Sequence, residues 1–200
     1  MEATSRRPRV MLNPSAQFGN SVLDDAGTDL YNEALVMYDY TIAVAEELGR
    51  DGRVDVFISR ESRDDQVTLK QETELARSLN CDAFVALHSD ATGKEDDPGG
   101  GTWSFYADDE GKRLAECVQR PLLEAIRSFY PEVLFRGVRT HWNRLWVLHE
   151  NNCPAALVEI MFHSNPKERE MLKDPALRKV MAKAIAWGIL DYFGLNGDDG

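Results

Sequence analysis

The chain has 200 residues, with 34 acidic against 23 basic side chains and a net charge of -11. This charge argues against nucleic-acid binding and against electrostatic docking on anionic membranes or wall polymers. No apolar run approaches the roughly 20 residues of a membrane span, and the first residues lack the apolar segment of a secretory signal. Length and a hydrophobic fraction of 43% predict one domain over residues 1–200, with an ordered core at about 9–194.

The first half of the chain alternates predicted strands and helices. Val10–Leu12 is a short strand, and apolar residues at helical spacing predict a helix from about Asp29 to Leu48. The segment "VDVFISR" is typical of a second strand, "TLKQETELARSLN" of a second helix and "AFVALH" of a third strand.

The second half begins with a loop, "KEDDPGGG". The fourth predicted strand, "TWSFYA", follows it and is expected to add antiparallel pairing. A helix over "EGKRLAECVQRPLLEAIRSF" comes next, in which Pro121 is expected to cause a kink or a division.

Two more predicted strands, "LWVL" and "AALVEIMF", precede the last helix. Asp174 caps that helix, Pro175 lies in its first turn, and it runs to about Phe193. The alternation predicts an α/β fold, a three-layer α/β/α sandwich with a mostly parallel central sheet of about six strands.

The three cysteines are far apart and form no C-x-x-C pair, so a structural cysteine-zinc site is not expected. Cys81, Cys117 and Cys153 are predicted to be ordinary buried or half-buried thiols.

The segment "AALVEIMFHSNP" contains a carboxylate where none is expected. Its apolar, β-branched character predicts a strand buried on both faces, with Glu159 in the middle. An unpartnered carboxylate in a dry interior is strongly unfavourable. Glu159 must therefore be neutral, paired with a cation such as Arg136, or placed where the strand opens onto a site.

Open α/β sheets place their sites at the carboxyl ends of the strands. His88 ends the third predicted strand, and Glu33 is early enough in the first helix to face the same edge. A histidine, a glutamate, a third ligand and one open position are what a catalytic zinc requires, with a second glutamate as general base. Each residue also has an ordinary explanation: a structural histidine, or a glutamate that favours the helix macrodipole.

Three segments in this order resemble the zinc-dependent N-acetylmuramoyl-L-alanine amidases. They are "FVALHSDA", "LFRGVR" and "CPAALVEIMFHSNPKEREML", within a similarity that spans Val10 to about Phe193. This family cuts the amide between the lactyl group of N-acetylmuramic acid and the first alanine of the peptidoglycan stem peptide. The resemblance implies that His88 and Glu33 are zinc ligands and that Glu159 is the catalytic glutamate.

The chain departs from the family at the first strand, where "NPSAQFGN" replaces the usual Gly-His-Gly element. Gln17 stands for the expected histidine, and an amide oxygen binds zinc less well than an imidazole. Three outcomes are open: Gln17 is the third ligand, His163 replaces it, or the metal is lost. His163 could equally organise the turn that follows it.

The histidines His141 and His149 have no assigned role. Trp142 and Trp146 could line a substrate groove or belong to the core.

The expected function is therefore zinc-dependent hydrolysis of the peptidoglycan amide, with action on the cell wall as an extracellular or phage-type lysin. The alternatives are an inactive peptidoglycan-binding domain of the same fold, favoured by Gln17, and zinc-dependent hydrolysis of another peptide substrate. The expected partner is peptidoglycan, without nucleic acid or a membrane span.

Overall fold

A computed structural model of the chain describes residues 6–93 and 99–196. Its central feature is a six-stranded sheet in the order β4-β1-β5-β8-β6-β7, beside a small hairpin of β2 and β3. The strands are β1 (Arg9–Pro14), β2 (Ser21–Leu23), β3 (Asp29–Asn32), β4 (Asp55–Ile58), β5 (Ala83–Asp90), β6 (Thr102–Tyr106), β7 (Phe135–Thr140) and β8 (Ala155–Phe162).

Six helices cover the described part of the sheet. They are α1 (Glu33–Asp51), α2 (Leu69–Ser78), α3 (Asp109–Arg127), α4 (Trp146–His149), α5 (Pro166–Lys173) and α6 (Pro175–Tyr192). The strands β4, β1, β5 and β8 run parallel to one another, while β6 pairs with β8 in the antiparallel sense. The predicted antiparallel pairing of the fourth predicted strand is thereby confirmed.

The sheet lies between two helical layers. Because side chains alternate along a strand, Val10 and Leu12 pack with α1, α3 and α6, whereas Met11 faces α2 and α4. The predicted three-layer α/β/α sandwich is confirmed, and both faces of the central strands are buried.

The first helix begins later than the sequence predicts. Asn32 is its N-cap and accepts a hydrogen bond from the Leu35 amide, so α1 starts at Glu33. The four residues before it form β3 and pair with β2. The start at Asp29 was wrong because Leu30, which fits the helical spacing, belongs to this hairpin and is 39% exposed.

The segment "LWVL" is also different from its prediction as a strand. Trp146–His149 forms the single helical turn α4, and its buried Val147 and Leu148 pack on the second face of the sheet. A four-residue apolar run has no periodicity that separates a strand from one helical turn, so the sheet contact decides its structure.

Other differences concern segments without a predicted element. The "FRGVRT" segment forms the edge strand β7, and α5 precedes the last helix. Pro121 lies inside the continuous helix α3, so of the two expected alternatives the division does not occur. Asp174 and Pro175 start α6 as predicted.

Of the predicted glycine loop, residues 94–98 lie outside the described residues, as do 197–200 of the polar tail. The three cysteines are free thiols. None of the described helices has the length and apolar character needed to cross a membrane.

Candidate active site

Neighbouring strands deliver polar residues to one edge of the sheet. β1 and β5 are parallel, as are β5 and β8, so their carboxyl ends lie together. His88 lies near the end of β5, Gln17 follows β1, and Glu33 is the first residue of α1. The loop between β1 and the hairpin brings Gln17 and Glu33 to the same side as His88.

His88 is in contact with both of the other residues. Its Nδ1 lies 2.9 Å from Glu33 Oε1 and 3.3 Å from Gln17 Nε2. Glu33 is 1% exposed and His88 is 9% exposed, whereas Gln17 lies on the solvent side. The structure thus brings together the three residues that the sequence analysis considers as ligands.

Asn20 joins this group, although the sequence analysis did not identify it. Its Nδ2 donates to Glu33 Oε2 at 2.7 Å and to Gln17 Oε1 at 2.8 Å. The Glu33 amide in turn donates to the Asn20 carbonyl oxygen at 2.9 Å. Asn20 is a positioning residue whose role arises only when the loop folds back on α1, so no local pattern indicates it.

Glu33 is held as a carboxylate despite its burial. Burial by itself raises the pKa of Glu33, but hydrogen bonding and charge from His88, together with the Asn20 amide, lower the pKa below its ordinary value. A buried, ionised carboxylate beside an imidazole is suited to a cation.

Glu159 is the single partly exposed residue of β8; the other seven are buried. It pairs in register with His88 on one side and with Trp103 on the other. Its Oε2 atom is buried and has no hydrogen-bond partner among the described residues. Burial, followed by the negative charges of Asp90 and Glu33, raises the pKa of Glu159 well above its ordinary value.

Arg136 does not neutralise this carboxyl group. The Arg136 Nε donates to the Gly100 carbonyl oxygen, and its guanidinium lies over the rings of Trp103 and Phe162. Within residues 6–93 and 99–196, no ion pair of Glu159 is formed. The ion-pair explanation for a glutamate in β8 is therefore wrong.

His163 is occupied elsewhere. Its Nδ1 lies 3.0 Å from Ser89 Oγ and 2.9 Å from the Ser89 carbonyl oxygen, while its ring stacks on Tyr31 at 5.1 Å. Tyr31 Oη also bonds to Ser89 Oγ at 2.7 Å. Burial lowers the pKa of His163, so the neutral ring is favoured in this network.

The donors available for a divalent cation follow from this geometry. Over the part of the chain that the structure describes, no three His, Cys, Asp or Glu side chains are grouped in a way that could hold a metal ion. His163 is accordingly not brought to His88 and Glu33. The side chains that meet there are the His88 imidazole, the Glu33 carboxylate and the Gln17 amide, whose Nε2 lies toward His88 while its Oε1 accepts a hydrogen bond from Asn20. An amide oxygen is a weaker zinc donor than an imidazole.

A cavity of about 600 Å³ opens beside this group. His88 and Gln17 line it, as does Trp146, which is 44% exposed. Trp142 is 71% exposed and its ring lies 3.8 Å from that of His141. Trp146 thus lines a cavity and Trp142 lies on the surface; neither belongs to the buried core.

The fold is that of N-acetylmuramoyl-L-alanine amidase catalytic domains. An N-acetylmuramoyl-L-alanine amidase from Clostridium difficile 630 superposes with a TM-score of 0.82 at 26% identity, covering 96% of this chain and all of that chain (100%). The catalytic domain of CwlV from Bacillus (Paenibacillus) polymyxa var. colistinus has the same fold, with a TM-score of 0.82 at 23% identity over 94% of this chain and 99% of its own.

The model of the N-acetylmuramoyl-L-alanine amidase family matches residues 17–191, and the chain belongs to that family. An uncharacterized cell wall amidase of Bacillus anthracis is 27% identical over 90% of this chain and 35% of its own length. The probable cell wall amidase LytH of Staphylococcus aureus is 28% identical over 78% of this chain and 49% of its own length. The chain therefore spans a third to a half of these relatives. The predicted family is confirmed.

Proposed function

We propose that this chain hydrolyses the amide bond between the lactyl group of N-acetylmuramic acid and L-alanine in peptidoglycan. The observation that carries the proposal is Glu159, a buried carboxyl group with an unpartnered oxygen, in register with His88 at the carboxyl edge of the sheet. A buried polar atom without a partner is rare in proteins and indicates a catalytic role when it lies at a site.

We infer that the cofactor is zinc, held by Glu33, His88 and Gln17. The ionised Glu33 and the imidazole of His88 suit zinc, and Asn20 donates both to the Gln17 oxygen and to Glu33, which holds the Gln17 amide near the other two side chains. Bound zinc polarises the scissile carbonyl and makes a water more acidic.

Glu159 would act as the general base and then as the acid. Its Oε2 takes the proton from the attacking water and delivers it to the nitrogen of the leaving alanine. The raised pKa of Glu159 favours holding that proton between the two steps. His88, paired with Glu159 across the β5–β8 ladder, keeps the base next to the ligands.

A second candidate function is binding of peptidoglycan without cleavage. Gln17 in place of the family histidine favours it, because the ligand set has one imidazole instead of two. Glu159 favours the enzyme, since a domain that only binds has no need for a buried, unpartnered carboxyl group.

The expected site of action is the cell wall, as the names of the curated relatives suggest, and the domain is taken as residues 1–200. Both statements are proposals for this chain.

Incubation of the protein with purified peptidoglycan and zinc tests the proposal. The expected result is release of new N-terminal alanine without new reducing sugar ends, together with about one zinc per chain by elemental analysis. Zinc binding without release of alanine supports the binding domain, and the absence of both contradicts the enzyme and its cofactor.

A further inference from the structure

The cavity beside His88 and Gln17 has a mixed lining. Its apolar walls come from the start of α2, from the turn before and within α4, and from β8; they comprise Val67, Leu69, Leu145, Trp146, Val147 and Leu157. One acidic side chain, Glu72, lies in the same lining. The cavity is large enough for a dipeptide-sized group, since ligand pockets begin at about 300 Å³.

Glu72 is buried and incompletely bonded. It is 1% exposed, and its Oε1 has no hydrogen-bond partner among the described residues. A capping box formed by Thr68 and Gln71 fixes the start of α2, so Glu72 is held one turn into a rigid helix. An acid in a first turn is favoured by the helix macrodipole. The macrodipole does not supply a hydrogen-bond donor to Oε1.

The nearby cation does not supply that donor. Arg60 is buried, and its guanidinium donates to the carbonyl oxygens of Ala34, Arg63 and Asp65. Among the described residues Arg60 forms no ion pair with Glu72, and Glu72 Oε1 stays without a hydrogen bond. Burial raises the pKa of Glu72 to about 7, with the Asn13 amide acting in the opposite direction. The ionised carboxylate is thus poorly stabilised until a donor enters the cavity.

We propose that Glu72 is a specificity-determining residue that accepts a hydrogen bond from an N–H group of the stem peptide bound in this cavity. This inference rests on the proposed function, which places the scissile amide at His88, Gln17 and Glu159. The peptide beyond that amide then enters the cavity next to His88. Its apolar walls suit the alanine methyl group and peptide backbone better than a hydroxyl-rich sugar.

The Glu72 carboxylate should distinguish two forms of the second residue of the stem peptide. A D-isoglutamine carries a carboxamide, which donates N–H bonds, whereas D-glutamate carries a carboxylate at the same atom. Above about pH 7, where Glu72 is ionised, a carboxylate placed against it meets like charge in a poorly solvated cavity. The site is therefore selective for the amidated peptide.

The test compares N-acetylmuramoyl-L-alanyl-D-isoglutamine with N-acetylmuramoyl-L-alanyl-D-glutamate. Dissociation constants are measured by calorimetry on the full chain carrying Glu159→Gln, so that binding is read without cleavage. The amide form is expected to bind roughly tenfold to a hundredfold more tightly, the range for a hydrogen bond to a charged group. Adding Glu72→Gln should reduce the preference to within about twofold.

Glu74→Gln is the matched control, because Glu74 lies on the same helix but is solvent-exposed and paired with Lys70. It should leave the preference unchanged. Equal binding of the two dipeptides, or a preference that survives Glu72→Gln, would overturn the proposal. Hydrolysis by the parent chain is scored separately: if neither dipeptide is cleaved, the proposed activity fails while the binding preference still decides the role of Glu72.

Discussion

Two glutamates with buried carboxyl oxygens, one in β8 and one shortly after it, show how differently the same side chain is used. Glu168, at 1% exposure, accepts hydrogen bonds from the amides of Gly101 and Phe162, each at 2.8 Å. Glu159 has an oxygen with no hydrogen-bond partner among the described residues. Burial raises the pKa of both groups, so the titration of the carboxyl group does not distinguish them.

The hydrogen bonds make the distinction. The close approach of the backbone at Gly101, where a Cβ atom would lie 2.2 Å from the Leu134 carbonyl oxygen, lets its amide reach Glu168. Glu168 thereby ties the start of β6 to the end of β8. A satisfied buried acid holds two segments together, whereas an unsatisfied one is available for a substrate or a proton.

The largest expected effect comes from Glu159→Gln. The change keeps the shape of the side chain but removes the base, so hydrolysis should fall roughly 100-fold to 10,000-fold. The melting temperature should stay the same or rise, because a buried carboxyl group without a bond is replaced by a neutral amide. Amidase assays and calorimetry on the same preparation measure both. A Glu159→Gln protein that is still active would contradict the role of Glu159 as general base.

Glu72 is a third buried acid, and its titration should make the stability of the folded protein depend on pH. Its pKa is about 7 in the folded chain against an ordinary 4.5. Between these values the folded state holds a proton that the unfolded state has released, so stability should fall as pH rises from 4.5 to 7. The loss is at most about 3 kcal/mol.

The decline in stability is measured by denaturant unfolding at several pH values, for the parent protein and for Glu72→Gln. The variant should show a smaller decline across the same window, and above pH 7 the difference between the two proteins should be constant. Parallel curves from pH 4.5 to 7 would show that Glu72 does not carry the effect.

Glu168→Gln makes the same chemical change as Glu159→Gln at the bonded site. Its amide can accept only one of the two backbone N–H groups, so the free energy of unfolding should drop by about 1–3 kcal/mol. The melting temperature should fall by roughly 2–12 °C for a domain of this size. Glu170→Gln, on the same helix but exposed, is the control and should change little. Equal stability of Glu168→Gln and Glu159→Gln would contradict the proposed difference between the hydrogen-bonded and the unbonded carboxyl group.

The smallest expected effect comes from Gln17→His, which tests the proposed zinc ligands beside Glu159. Gln17→His adds an imidazole and should tighten zinc binding by roughly tenfold, since nitrogen suits zinc better than an amide oxygen. His163→Ala should leave zinc affinity unchanged, because His163 bonds to Ser89 instead. Zinc titration of the two variants distinguishes them, and a site emptied by His163→Ala would contradict this ligand assignment.

The sequence alone determined the sheet architecture and the residues of chemical interest. Alternating apolar strands and amphipathic helices predicted the three-layer sandwich, and the position of Glu159 in an apolar run marked it as exceptional. These signals are local, since burial and helical spacing are properties of consecutive residues.

Tertiary structure decided what local signals could not. The helical turn of "LWVL", the hairpin before α1, the role of Asn20 and the exclusion of His163 all depend on contacts between distant segments. Glu168 lies nine residues after Glu159 in a polar segment, and nothing in the sequence indicates that it is buried. Only folding determines that the amides of Gly101 and Phe162 approach Glu168 and leave an oxygen of Glu159 unpaired, because Gly101 and Phe162 come together through the packing of distant segments.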